Sequence, residues 1–315
     1  MSGPPAGTAG PVFLAGLDRS GIGLLGDVLD RHPAFALSRR TNFWSFYDGR
    51  FGDLAETSNV DACLTELFRF RRIRDLGLDT DRIREAFLAS SDRSYTRLFS
   101  LIGEHHASAR GKPRWGDKSL GSERHAERIL DAYPDGRMVH VIRDPRDRHA
   151  SVTNHRGAKR GGVASTSAEW LDSVRAADRH SIRYVGRYLV IRYEDLAAAP
   201  REVLGEVCEF LGEAFDESSL DPQGDDENGA LAFHARSVGR FRTDLRPRQV
   251  ELIERVTAGD LERRGYTLSR PALGTGARVV LELVDLPASR ILMPVRRSGL
   301  LGRRQARPAA RRLVD

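Results

Sequence analysis

The sequence predicts an α/β fold in which a central, mainly parallel β-sheet is flanked by helices. Short, almost uninterrupted apolar runs stand at Val12 to Ala15, Met138 to Ile142 and Tyr188 to Ile191, the pattern of strands buried on both faces. Each leads through a turn into apolar residues at helical spacing, and parallel strands need such helical crossovers. At 315 residues the chain is long enough to bury a sizeable core around that sheet.

The first unit organises the rest. Leu24, Leu25, Val28 and Leu29 recur at helical spacing after the first strand, and Arg31-His32-Pro33 ends the pattern. Between strand and helix lies Gly16-Leu17-Asp18-Arg19-Ser20-Gly21. Its glycines let backbone N–H groups turn toward an anion at the helix N-terminus, so the loop is a candidate phosphate or sulfate site. The glycine spacing is that of a P-loop, yet Ile22 and Gly23 stand where an NTPase places Lys and then Ser or Thr. A Mg²⁺ ligand is thereby lost. Arg19 is the long cation of the loop, and its planar fork suits two oxygens of a phosphate or sulfate. The expectation is a nucleotide ester handled without metal.

Phe35 to Leu37 forms a second short strand, followed by Arg39, Arg40, Phe43 and Trp44. Two cations beside aromatic residues just past a strand end occupy the place where open α/β sheets bind ligands, so these four are candidate substrate contacts. Residues 61 to 75 and 81 to 106 have helical periodicity. Lys112 to Ser119 reads as a loop that carries Lys118 at its mouth, and Ser122 then opens a helix through Tyr133. A lysine so placed can neutralise a transferring anionic group.

The strand ending at Ile142 runs into Arg143-Asp144-Pro145, with Pro145 suited to the first helical position. Arg143 therefore sits at a strand end, and Ser151, two turns into the helix, is placed to share an anion with it. A glycine-rich basic loop at 156 to 163 precedes a helix from Ser165 to Ala177. Tyr193-Glu194-Asp195-Leu196 leaves the third apolar strand, and a helix from Val203 ends at Gly212. An acidic, turn-rich stretch spans 216 to 229. Gly239-Arg240-Phe241 then precedes a helix from Pro247 to about Arg263, and Gly265-Tyr266 closes the compact body.

Composition sets the outer bounds. Residues 277 to 315 hold nine arginines against Glu282, Asp285 and Asp315, which accounts for the whole net charge of +6. The body is formally neutral, so it offers no nucleic-acid footprint. Only Lys112, Lys118 and Lys159 are lysines among 50 basic residues, so a lysine in this chain stands out. Cys63 and Cys208 lie in separate apolar patterns, as buried thiols do. No apolar run has the length of a membrane span and no secretory signal pattern opens the chain, so a cytoplasmic location is the expectation.

In consistent order over residues 11 to 266, these residues resemble the nucleotide-dependent sulfotransferase family, which uses 3'-phosphoadenosine 5'-phosphosulfate (PAPS) as donor. The family's 5'-phosphosulfate loop is similar to Arg19-Ser20-Gly21 with its leucines, and its 3'-phosphate motif to Arg143 through Ser151. Its strand-end Tyr-Glu-Asp-Leu is matched at Tyr193, and its late Gly-Arg-aromatic at Gly239. The resemblance implies a P-loop-NTPase-like sulfotransferase architecture: a disordered N-terminus at 1–10, a sulfotransferase domain at 11–270 and a basic extension at 271–315. By it, the sulfuryl group passes from PAPS to a hydroxyl of a carbohydrate, lipid or small metabolite, leaving 3'-phosphoadenosine 5'-phosphate (PAP), with no metal.

The same resemblance implies a role for each matched residue. Arg19 with Ser20, Gly21, Ile22, Gly23 and Leu24 holds the 5'-phosphosulfate, Arg143 and Ser151 the 3'-phosphate, and Tyr193 the adenine. Arg240 joins the donor-binding set, and Lys118 stabilises the transferred group. Relatives usually have Pro before the loop Arg and Thr-Thr after the Gly, where this chain has Asp18 and Ile22-Gly23. They also often place a Glu or His after the second strand as general base, where this chain reads Ser38-Arg39-Arg40-Thr41-Asn42. The remaining candidates for the base are Asp117, His125, His155 and Glu194, with Asp117 first because it adjoins Lys118. The rival readings are a PAPS or PAP-binding protein without catalysis and a P-loop small-molecule kinase. The apolar segments of the Arg-rich extension suit either a peripheral membrane surface or self-association.

Overall fold

The structure, a computed structural model, describes residues 10–154, 162–220 and 237–297. The expected disordered N-terminus apart from Gly10, His155, most of the stretches 156 to 163 and 216 to 229, and the end of the basic extension lie outside the described residues. Five parallel strands form one sheet in the order β2-β3-β1-β4-β5. They are β1 Val12–Gly16, β2 Phe35–Arg39, β3 Arg114–Lys118, β4 Arg137–Ile142 and β5 Tyr188–Arg192. β1 is central, paired with β3 on one side and β4 on the other, so both strands that lead into the predicted anion loops lie side by side.

Alternation along the strands assigns the two layers. Val12, Leu14, Leu37, Val139 and Val141 pack against α1 Ile22–Arg31, α10 Tyr193–Ala198 and α11 Pro200–Leu211. Phe13, Ala36, Trp115 and Met138 pack on the other face. That layer contains α2 Phe43–Phe46, α3 Thr57–Arg69, α4 Arg71–Arg74, α5 Thr80–Ala89, α6 Tyr95–Ala109 and α7 Ala126–Ala132. α8 Pro145–Asn154, α9 Val163–Arg183, α12 Phe241–Asp244 and α13 Pro247–Arg263 close the side beyond β4. The last described segment is α14 Thr275–Val280, a π turn at Leu281–Asp285 and α15 Leu286–Arg297, which lies against α9.

Three expectations change. The helix expected at 61 to 75 breaks at Phe70, whose ψ of 119° is extended. The one expected at 81 to 106 divides in the Ser-rich stretch 90 to 94, because Ser90 is extended and Ser94 caps α6 by accepting from the Arg97 amide. The larger correction is Lys112 to Ser119, expected as a loop and found to contain β3, a strand between β2 and β1. Its charged residues all have partners, and Arg114, Asp117 and Lys118 are buried. The Arg114 guanidinium donates to the Leu211 and Gly10 carbonyls and to Glu213, while the Lys112 ammonium donates to carbonyls of Asp30 and His32 at the end of α1 and of Phe35 at the start of β2.

Candidate active site

The loop between β1 and α1 crosses the C-terminal edge of the sheet, where open parallel sheets bind ligands. Gly21, the residue before α1, has φ 95° and lies flat against Tyr193: an added Cβ would stand 2.3 Å from that ring's Cδ2. Only glycine fits there. It offers no capping side chain, and the first turn of α1 carries no acid, so the helix N-terminal amides face the loop uncapped. Arg19 holds a left-handed φ of 68°, a conformation that costs a residue with a Cβ about 1–2 kcal/mol and that clusters at binding sites. Glu123 fixes the start of the loop by accepting the Gly16 amide at 3.1 Å through Oε2.

Arg19, Arg143, Ser151 and Tyr193 come together. The Arg143 guanidinium sits 4.5 Å from the centre of the Tyr193 ring and donates from Nη1 to the Arg19 carbonyl at 3.1 Å. Nη2 donates to the Ser237 carbonyl, whereas Nε is buried without a partner among the described residues. Arg19 Nε donates to Ser151 Oγ at 2.9 Å. Two guanidinium groups and a hydroxyl therefore converge beside an aromatic ring and a helix N-terminus. Such an arrangement can hold anionic oxygens next to a planar group. Asp147 positions the neighbouring turn, accepting the Gly239 amide at 2.6 Å and the Phe241 amide at 2.9 Å. Arg240, on that turn, donates from Nε to Asp244 at 2.7 Å.

Lys118 lies against the helix that follows the loop. Its stem crosses α1 at Gly26, where an added Cβ would stand 2.6 Å from Lys118 Cδ. Its ammonium lies 3.8 Å from Asp27 Oδ1, and Arg39 Nη2 lies 3.1 Å from the same oxygen. Burial pulls the lysine pKa down, opposed by Asp27 and reinforced by Arg39 and Arg40. Arg40 pairs with Asp18 of the loop at 3.2 Å and, like Arg19, is left-handed, with φ 57°.

Neighbouring strand residues face opposite sides, and Asp117 accordingly faces away from Lys118. It is buried in a cage of hydroxyls, accepting from Ser38 Oγ at 2.7 Å and Thr41 Oγ1 at 2.8 Å. Burial raises its pKa against those hydrogen bonds. Phe43 and Trp44 are likewise turned into the core, Phe43 stacked on Phe99 at 4.4 Å. Glu194 accepts the Asp144 amide and the Tyr266 hydroxyl, each at 2.9 Å. His125 has a different setting. It follows β3 at the C-terminal edge, half-buried, with Nε2 3.1 Å from Ser45 Oγ, and burial lowers its pKa from 6.5, which keeps the ring neutral at pH 7.

Comparison with known families decides what this edge of the sheet belongs to: the model of the sulfotransferase family matches residues 11–217. The chain belongs to the sulfotransferase family. No curated protein matches it. Among solved structures, the sulfotransferase domain from the Synechococcus PCC 7002 olefin synthase is 22% identical, with 85% of this chain and 98% of that one covered and a TM-score of 0.55. The sulfotransferase domain from the curacin biosynthetic pathway is 19% identical, with 85% and 100% covered and a TM-score of 0.56. At such identities the likeness shows the fold.

Four residues of this sulfotransferase act on the site without having been singled out from the sequence. Glu123 anchors the loop, Asp147 the turn at Gly239, Asp27 faces Lys118, and Gly26 makes room for it. Asp147 lay inside the recognised Arg143 to Ser151 stretch, and its acid type beside that many arginines was a usable signal. The others depend on strand order, which places α1 and the 3₁₀ turn Ser122–His125 on β3 and β1.

Proposed function

We propose that this sulfotransferase takes its sulfuryl group from PAPS and transfers it to a hydroxyl of a carbohydrate, lipid or other small-molecule acceptor. The observation that carries the reading is the convergence of Arg19, Arg143 and Ser151 beside Tyr193, with Arg143 Nε buried and unpartnered among the described residues. A buried guanidinium donor without an acceptor is costly, and a phosphate oxygen satisfies it. The 3'-phosphate of the donor fits there, its adenine fits the Tyr193 side, and the 5'-phosphosulfate fits the loop amides with Arg19. Among the described residues no cluster of His, Cys, Asp or Glu is suited to a metal.

The donor supplies a sulfuryl group that leaves its 5'-phosphate as the acceptor oxygen bonds to sulfur. Charge spreads over the transferring oxygens in a loose transition state, by analogy with phosphoryl transfer, so fixed cations lower the barrier. Lys118 and Arg19 supply them. Asp27, itself paired with Arg39, holds the lysine in place between turnovers. We assign the acceptor's proton to His125 Nε2, because its neutral ring follows β3 at the C-terminal edge of the sheet, whereas the Asp117 carboxylate is enclosed by Ser38 and Thr41. Arg39 and Arg40 flank the acceptor's approach.

Calorimetric titration with PAP, AMP and ATP, without and with Mg²⁺, tests this. Metal-independent binding that requires the 3'-phosphate is the expected result. Preference for ATP with Mg²⁺ overturns it in favour of a kinase. Tight PAP binding with no transfer to any acceptor in a broad hydroxyl panel leaves a binding protein.

A further inference from the structure

The C-terminal helical segment has two faces, and the site chemistry uses neither. Towards the body, Leu281 and Ser289 are buried, and the two acids of the segment are held by body arginines, Glu282 by Arg255 at 2.6 Å and Asp285 by Arg248 at 3.2 Å. The outward face has no such partners among the described residues. Val279, Leu283, Val284, Ile291 and Leu292 are 50%, 72%, 56%, 66% and 49% exposed. Their spacings of four and seven residues, carried across the π turn, place them along one side of the segment. Five large apolar side chains in one exposed row are more than a soluble surface needs.

The sequence beyond Leu292 indicates what covers this row. Residues 293 to 315 hold Arg296, Arg297, Arg303, Arg304, Arg307, Arg311 and Arg312 against Asp315 as the one acid. We propose that this face docks on an anionic lipid bilayer, with the apolar row at the acyl boundary and the arginine-rich sequence that follows it supplying charge complementary to the headgroup phosphates. Either signal alone gives marginal membrane affinity, and an apolar face joined to a polybasic stretch gives stable attachment. A second copy offers these arginines no free acid on this segment: a parallel two-fold contact brings two basic tails together, and in an antiparallel one each tail meets a segment whose acids are already paired. The acids that would attract a basic tail are already paired with Arg248 and Arg255. No described helix is long and apolar enough to cross a membrane, so the attachment is to one surface.

The test is co-sedimentation of the full chain with vesicles of phosphatidylcholine alone and of phosphatidylcholine containing one part in three phosphatidylglycerol. Binding to the anionic vesicles, weakened by salt and absent from the neutral ones, is expected. The variant Arg303→Gln/Arg304→Gln/Arg307→Gln lowers the partition coefficient at least tenfold, given roughly fivefold per arginine near such a surface. Leu283→Gln/Ile291→Gln, at side chains that already face solvent, lowers it similarly with an unchanged melting temperature. Equal binding to neutral vesicles, or none to either, overturns the proposal. So does a concentration-dependent dimer that Leu283→Gln/Ile291→Gln abolishes. PAP titration of the same variants separates this inference from the donor assignment, because vesicle binding and PAP binding fail independently.

Discussion

Gly26 of α1 and Lys118 of β3 are in direct contact: the lysine stem fills the space a Cβ would take, 2.6 Å from Cδ. Helix and strand can thus approach closely enough for the ammonium to come within 3.8 Å of Asp27. Gly26→Ala should gain up to about 1 kcal/mol of helix propensity, partly or wholly spent in displacing the lysine. The fold is kept and Lys118 is moved. The expected outcome is a fall in kcat of at least tenfold with PAP affinity changed by less than about threefold, since positioned cations act in the transition state. A kcat equal to wild type, measured with radiolabelled donor, would remove Lys118 from the proposed mechanism.

Arg143 offers the sharpest test of donor recognition. Charge-assisted hydrogen bonds contribute about 1.5–3 kcal/mol each, so Arg143→Gln should weaken PAP by roughly 10- to 100-fold. AMP, which lacks the 3'-phosphate, should bind the two proteins alike. Equal losses for both nucleotides by calorimetry would mean that Arg143 holds the loop through the Arg19 carbonyl and does not read the phosphate.

Gly23 is a different kind of glycine. It lies in the first turn of α1, and an added Cβ meets nothing within 4 Å. Gly23→Ser therefore fits and restores a hydroxyl of the kind relatives carry in this loop. Tighter PAP binding, by about three- to tenfold for one added neutral hydrogen bond, is the expected result. Calorimetry that shows weaker binding would place the nucleotide elsewhere.

Strands β1, β4 and β5 were legible because each is a short apolar run with its loop beyond it, and the residues at their ends, Arg19, Arg143 and Tyr193, were legible with them. β3 was not. Arg-Trp-Gly-Asp-Lys has no strand periodicity, since its buried charges are satisfied by carbonyls and hydroxyls brought from Leu211, Gly10, Ser38 and Thr41. Such partners exist only after folding. The breaks at Phe70 and at 90 to 94 were visible in principle, through Ser94 as a cap, but helical periodicity on both sides concealed them. Phe43 and Trp44 illustrate a further limit: aromatic residues just past a strand end suit a ligand or a core equally, and only their packing on Phe99 separates the two.

The pH dependence of activity and stability distinguishes the imidazole from the carboxyl as proton acceptor. Burial lowers the His125 pKa from the ordinary 6.5, so more than half of the base is neutral at that pH and the acid limb of kcat/KM should lie below it. His125→Gln should abolish that limb and lower the plateau by about 10²- to 10⁴-fold. Asp117 behaves oppositely. Its folded pKa is raised above the ordinary 3.8, so the native state retains the proton longer than the unfolded chain, and this contribution to stability is lost as pH rises from 3.8 through the folded value. Asp117→Asn, whose Oδ1 can still accept from Ser38 and Thr41, should flatten that part of the stability profile in chemical denaturation and reduce kcat less than tenfold. If instead Asp117→Asn removes the activity and His125→Gln keeps it, the acceptor approaches from the Ser38 side of the sheet, and the roles of the two residues are exchanged.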